Sequence, residues 1–257
     1  MTNSERVLDQ VAAPKVLVLP DRDSLGRVAA ADVAAELRER LAAQDEVRMI
    51  FAAAPSQREM IDRLRQESGI DWSRVTAFHM DEYVGLAPGA PEGFGNWLTK
   101  VPFDRLPFGD VHLLKPAEDN ERIAKEYGDL LAEAPIDIVC LGIGVNGHLA
   151  FNDPPVADLH DPLPVKVVEL DETCRMQQVD DGSFARVADV PTHALTLTVP
   201  RLLDARRLFC VVPGRSKRAA VLAALRDPVG PACPATALRT HPDCTLYLDE
   251  ESAPHDK

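Results

Sequence analysis

Short apolar runs alternate with helix-like stretches along this chain, and that alternation is the strongest constraint on its fold. The runs fall at residues 15–19, 47–53, 75–80, 111–114, 136–140, 165–170, 194–199, 208–212 and 245–248. Between them, Asp23 or Ser24 is placed to cap a helix ending near Ala43, and Ser56 to cap one reaching about Glu67. Further helices are expected near Asn96, over residues 119–133, near Arg175, and from Gly214 to about Arg226. Continuously apolar strands separated by helices specify an α/β fold, read here as a Rossmann-like, three-layer arrangement around a mostly parallel sheet. Neither repeats nor linker composition interrupt the pattern. Residues 1–257 are therefore expected to form a single domain with its core at about 15–249.

Composition narrows the function. The formal net charge is −13, which argues against a general nucleic-acid binder, whose affinity comes largely from cations on phosphates. An anionic small molecule is still admissible if a few cations are placed locally. The five cysteines form no CxxC pair, so neither a zinc ribbon nor a disulfide framework is expected, and a reducing compartment is. Residues 1–6 lack the basic start and apolar run of a leader, and no apolar run approaches a membrane span. These observations point to a cytoplasmic protein with no membrane partner.

Three segments that leave the C-terminal ends of predicted strands carry candidate chemistry. Asp81 and Glu82 follow the run at 75–80, where paired acids suit a general base facing a cleft or, more simply, an acidic loop. Gly142, Gly144 and Gly147 then precede His148, with Asp153 five residues after the histidine. Such a turn brings backbone close to a ligand and presents an imidazole for proton transfer, or it is a glycine turn with a surface histidine. Arg215, Lys217 and Arg218 sit at a helix start, where cations oppose the macrodipole; they grip an anion or form a solvated basic face. Ser56, at another strand-to-helix junction, reads locally as an N-cap, although such junctions also bind anions. Ligands of open α/β sheets bind at this edge, so the convergence favours a site. Residues 154–164 hold four prolines and are expected to be a loop.

The segments Phe78-His79-Met80-Asp81-Glu82-Tyr83-Val84-Gly85-Leu86 and Gly142-Ile143-Gly144-Val145-Asn146-Gly147-His148-Leu149-Ala150-Phe151-Asn152-Asp153-Pro154 resemble glucosamine-6-phosphate deaminases. The likeness continues through residues 192–196, 202–205 and 214–217, and the wider superfamily includes 6-phosphogluconolactonases. It implies an isomerase/deaminase acting on an amino sugar phosphate, without metal or organic cofactor, and a homo-oligomer is expected on general grounds. By the resemblance, Asp81 is the base for the C2 proton, His148 assists ring opening, and Asp153 and Asn146 accompany it. Lys217 and Ser56 would hold phosphate, and Glu82, Gly144 and Gly147 complete the substrate surroundings.

Several positions depart from the family pattern. Asp153 stands where Glu is usual and Asn146 where Asp is usual, an amide that can orient His148 but stabilise its imidazolium less. The phosphate loop, usually glycine-rich, is Ala52-Ala53-Ala54-Pro55-Ser56-Gln57, with fewer N–H groups for an anion. A phosphate-binding arginine falls on Gln178, with Arg175 nearby but out of register. The expected allosteric residues do not match. The chain thus reads as a divergent branch, with a lactonase-like hydrolase using His148 as base, or a non-catalytic sugar-phosphate-binding protein, as alternatives.

Overall fold

The computed structural model describes residues 14–154 and 156–255. Residues 1–6, expected not to form a leader, and Pro155 of the proline-rich loop lie outside them. Seven strands form one wholly parallel sheet: β1 (Lys15–Leu19), β2 (Val47–Phe51), β3 (Val75–His79), β5 (Asp110–His112), β6 (Ile136–Leu141), β9 (Ala205–Val212) and β10 (Cys244–Asp249). Their order is β1-β10-β9-β6-β2-β3-β5. The expected mostly parallel α/β fold is what the chain adopts, and its central strands alternate faces. Met49, Phe51, Ile138, Cys140, Phe209 and Val211 face one core, while Ile50, Val139, Leu141, Leu208 and Cys210 face the other. Burial on both faces explains the continuous apolar runs.

Helices cover both faces. On one lie α1 (Arg22–Ala43), α2 (Arg58–Leu64) and α3 (Phe94–Leu98). On the other lie α4 (Asn120–Ala132), α6 (Val199–Leu203) and α7 (Arg218–Arg226). α1 begins earlier than expected, because Asp21 rather than Asp23 or Ser24 is its cap, its side chain accepting from the Ser24 N–H at 2.7 Å. Along α1 a Cβ at Gly26 would lie 2.5 Å from Glu59 Cβ. The missing side chain lets α1 cross the start of α2 at close range. Among the described residues, no helix is long and apolar enough to cross a membrane.

A second, three-stranded antiparallel sheet was not foreseen: β4 (Asp81–Tyr83), β8 (His193–Leu197) and β7 (Val165–Glu169) in that order. Asp81 and Glu82 therefore do not sit on a loop. They form a short strand, with Asp81 opposite Thr196. α5 (Glu172–Asp180) packs beside this sheet, where Tyr83, Phe151, Val168, Cys174 and Ala194 form a small core of their own.

Candidate active site

β6 delivers the chain to the sheet's C-terminal edge, and residues 142–153 fold back over it. The imidazole of His148 lies directly over Gly144, where a Cβ would come within 2.1 Å of its Nε2. Gly147 adopts φ +84, and a Cβ there would meet Cys233 Sγ at 2.5 Å. Both glycines are thus steric requirements. Gly144 underlies the reactive ring, whereas Gly147 packs away from the cleft. Ala150 carries φ +49, a conformation that costs a non-glycine residue energy and recurs at functional loops.

His148 Nδ1 lies 2.9 Å from Asp153 Oδ1, with the ring N–H out of line for a straight hydrogen bond. Asn146 Nδ2 donates to the same oxygen at 2.9 Å, while its Oδ1 accepts the His148 backbone N–H at 3.1 Å. Asn146 therefore does not touch the imidazole ring through a hydrogen bond, contrary to expectation; it orients Asp153 and the backbone. Burial alone would raise the Asp153 carboxyl, but contacts from His148, Asn146 and the Cys174 thiol hold it below the ordinary range. The donor atoms of His148, Asp153 and Cys174 all lie within 4.8 Å of one another, close enough to surround a metal ion. Within the trio His148 and Asp153 are in direct contact, with the Cys174 thiol beside the carboxylate.

Asp81 and His148 line one cleft. Asp81 is 6% exposed, and no donor among the described residues reaches its carboxylate. Burial, followed by the charge of Glu82, raises its pKa well above the usual carboxylate range. Glu82 is placed differently. Its Oε1 accepts the Tyr83 and Phe94 N–H groups at 2.9 and 3.1 Å, and its Oε2 accepts that of Gly95 at 2.8 Å. It anchors the start of α3 and faces a neighbouring cavity, outside the cleft that Asp81 lines.

The opposite end of the cleft is formed by residues 52–56, Pro213, Gly214, Ser216 and Lys217. Ser56 is not a helix cap: the 3₁₀ turn Pro55–Gln57 starts at Ala54 without a side-chain cap, leaving the serine facing the cleft. Gln57 Nε2 instead reaches the Leu141 and Val211 carbonyls at 3.3 and 3.2 Å, tying this turn to β6 and β9. Of the three cations near residue 217, only Lys217 enters the cleft. It is 7% exposed and has no hydrogen-bonding or ionic partner among the described residues. Burial lowers its pKa, with Asp181 and Cys174 acting in the other direction. Gln178 lines the cleft and accepts the Tyr83 hydroxyl at 2.8 Å. The Arg175 guanidinium is spent on the carbonyls of Val187 and Val190.

Arg22, Gln177 and Asp181 also line the cleft, and none of the three is among the site residues expected from the sequence. Arg22 had a signal, since it too follows a strand's C-terminal end.

The family model for glucosamine-6-phosphate isomerases/6-phosphogluconolactonase matches residues 20–247. The chain belongs to this family. A glucosamine-6-phosphate deaminase of Listeria monocytogenes serotype 4a is 34% identical over 228 residues, covering 88% of this chain and 95% of the relative. One from Streptococcus pneumoniae (strain 70585) is 34% identical over 190 residues, covering 72% of this chain and 77% of its own. Among solved structures, a monomeric glucosamine-6-phosphate deaminase aligns at TM-score 0.85 and 26% identity, over 93% of this chain and 98% of the other. A 6-phosphogluconolactonase from Thermotoga maritima shares the fold at TM-score 0.74 and 17% identity, over 92% and 100% of the two chains. The family thus spans both the isomerase and the lactonase activities first weighed for this chain.

Proposed function

We propose that this family member is an amino sugar phosphate isomerase/deaminase, converting glucosamine 6-phosphate and water to fructose 6-phosphate and ammonia. The observation that carries this reading is Asp81: a buried carboxylate without a donor among the described residues, raised in pKa, in the same cleft as His148. A base whose pKa approaches the working pH is suited to taking a proton from carbon and giving it back. A lactonase needs only to activate water, and Asp81 would have no task in it.

Each residue then has a place in the sequence of steps. The His148 imidazole, held by Asp153, relays a proton from the anomeric hydroxyl to the ring oxygen as the pyranose opens. Asp81 removes the C2 proton while O1 takes a proton from the substrate's ammonium, giving an enolamine, and Asp81 then delivers its proton to C1. The resulting C2 imine takes up water and releases ammonia, leaving the ketose. Lys217 and Ser56 hold the phosphate at the far end, so that C1 and C2 are presented to the acid–base groups. Both catalytic groups are side chains of the protein, and no step in this scheme draws on a cofactor.

The deciding experiment measures ammonia and fructose 6-phosphate from glucosamine 6-phosphate, with 6-phosphogluconolactone hydrolysis run in parallel. Turnover of the amino sugar that vanishes in Asp81→Asn is the expected result. Hydrolysis of the lactone alone would overturn it in favour of His148 acting on water. Binding without turnover of either would make the chain a sugar-phosphate-binding protein.

A further inference from the structure

We propose that Arg22 is a second anion-binding residue of the cleft, supplying from the start of α1 the guanidinium that position 178 lacks. This rests on the phosphate end assigned under the proposed function. Arg22 and Lys217 are the two cationic residues lining the cleft among those described. A phosphate monoester carries a charge of about −1.5 to −2 near neutral pH. Asp81 and Asp181 share the cleft with it, so one lysine leaves the dianion poorly compensated. Neither alternative arginine source is open: position 178 is an amide bonded to Tyr83, and Arg175 is engaged elsewhere.

The route by which Arg22 arrives is built into the fold. β1 ends at the sheet edge where the site forms, and α1 starts at Arg22. Gly26, four residues on, lets α1 lie against Glu59 with no room for even one methyl. That close crossing carries the guanidinium to the turn at 55–57. There its Nε lies 2.7 Å from Glu59 Oε1, and its Nη2 donates to the Pro55 carbonyl. The Pro55 hydrogen bond and the Glu59 charge hold the group at this turn. Neither uses Nη1, so a donor pair is left for a ligand. The side chain is 42% exposed, so it is accessible from solvent. A guanidinium held in this way suits phosphate, to which its free Nη1 can donate charge-assisted hydrogen bonds.

Inorganic phosphate is the probe, titrated calorimetrically into the full chain and into Arg22→Gln, Glu59→Gln and the double variant Arg22→Gln with Gln178→Arg. Losing a charge-assisted contact should weaken phosphate binding about ten- to hundredfold in Arg22→Gln. Glu59→Gln removes the tether but keeps the cation, and should stay within roughly threefold of the parent, as for a half-exposed ion pair. The double variant should regain most of the affinity. If Arg22 were only a strut for the turn at 55–57, Glu59→Gln and Arg22→Gln would weaken binding alike and the double variant would not recover. That pattern overturns the proposal, as does an unchanged affinity in Arg22→Gln or a parent chain that does not bind phosphate. Turnover is measured on the same samples. A parent that binds phosphate through Arg22 without deaminating glucosamine 6-phosphate refutes the reaction, not the anion site.

Discussion

The two ends of the cleft are built to different standards of exchangeability. At the proposed proton-transfer end, His148 lies over Gly144, and its partner Asp153 is held by Asn146 within the same loop. At the proposed anion end, the groups come from separate elements: the turn after β2, the turn before α7, and the first residue of α1. Charge acts over distance and tolerates more than one origin, whereas proton transfer requires atoms within hydrogen-bond reach. The comparison teaches that an anion site can gather its groups from several elements, whereas the imidazole–carboxylate pair is set within a single loop.

The sharpest way to break this comparison is Asp81→Asn. Turnover should fall about a thousandfold or more, within the usual range for a lost acid–base group, while substrate affinity changes little. The parent's rate should decline as pH falls through the raised pKa of Asp81, because only the carboxylate accepts the C2 proton. Stability should move the opposite way. The folded pKa of Asp81 lies above its unfolded one, so the group favours the native state most at low pH, and that contribution is lost as pH rises through the folded value. At neutral pH the buried carboxylate is a cost, and the asparagine variant should melt a few degrees higher. Rate–pH profiles and thermal melts of the two proteins test both halves.

Lys217→Ala comes next. Its ammonium has no partner among the described residues, so removing it should raise KM about ten- to a hundredfold and lower kcat much less. An equal fall in kcat at unchanged KM would move Lys217 from the anion end to the reaction itself.

Asn146→Asp is a subtler probe, because it introduces the residue that family resemblance leads one to expect. Here the Asn146 amide donates to Asp153, and a carboxylate would face that oxygen at 2.9 Å with no proton to share. The Asp153 pKa, held low partly by this amide, should rise. Asp153 contributes stability above its unfolded pKa, and that contribution is lost as pH falls through the depressed folded value. The variant should therefore become less stable at neutral pH and lose a factor of about ten in rate, as the His148 partner is disturbed. Combining it with Asp153→Glu should recover part of both, since the longer side chain can move its oxygen away. A neutral single substitution would show that the two positions are not coupled.

These residues also show how much was legible beforehand. The parallel sheet was readable because strands buried on both faces are almost continuously apolar, as at 136–141, where every residue is buried and Asp137 alone is polar. The short strand at Asp81–Tyr83 was not, since three polar and aromatic residues carry no period and its partner β8 lies over a hundred residues away in the chain. Asp81, His148 and Lys217 were identifiable by residue type and position at strand ends. Glu82 shared that position, but its side chain turns to cap α3, a distinction set by an alternation of faces that two residues cannot display. Arg22 escaped notice because a charged residue at a helix start looks like solvent-facing surface; the decisive cue is the contact made through Gly26 and Glu59.

The smallest expected effect concerns Ala150, which lines the cleft in the left-handed region at φ +49. A Cβ in that region costs about 1–2 kcal/mol, and glycine would remove this strain while adding entropy to the unfolded chain of about 0.4–1 kcal/mol. Ala150→Gly should therefore be slightly stabilising in denaturant melts, by less than about 1 kcal/mol. If strain at this position helps to hold His148 over Gly144, kcat should drop a few-fold despite the gain in stability. That opposite movement would locate rigidity at the proton-transfer end as part of its function. A variant that gains stability and keeps its rate would show that the loop is held by the Asn152 bonds to Leu149 and Leu197 alone, with the backbone of Ala150 a bystander.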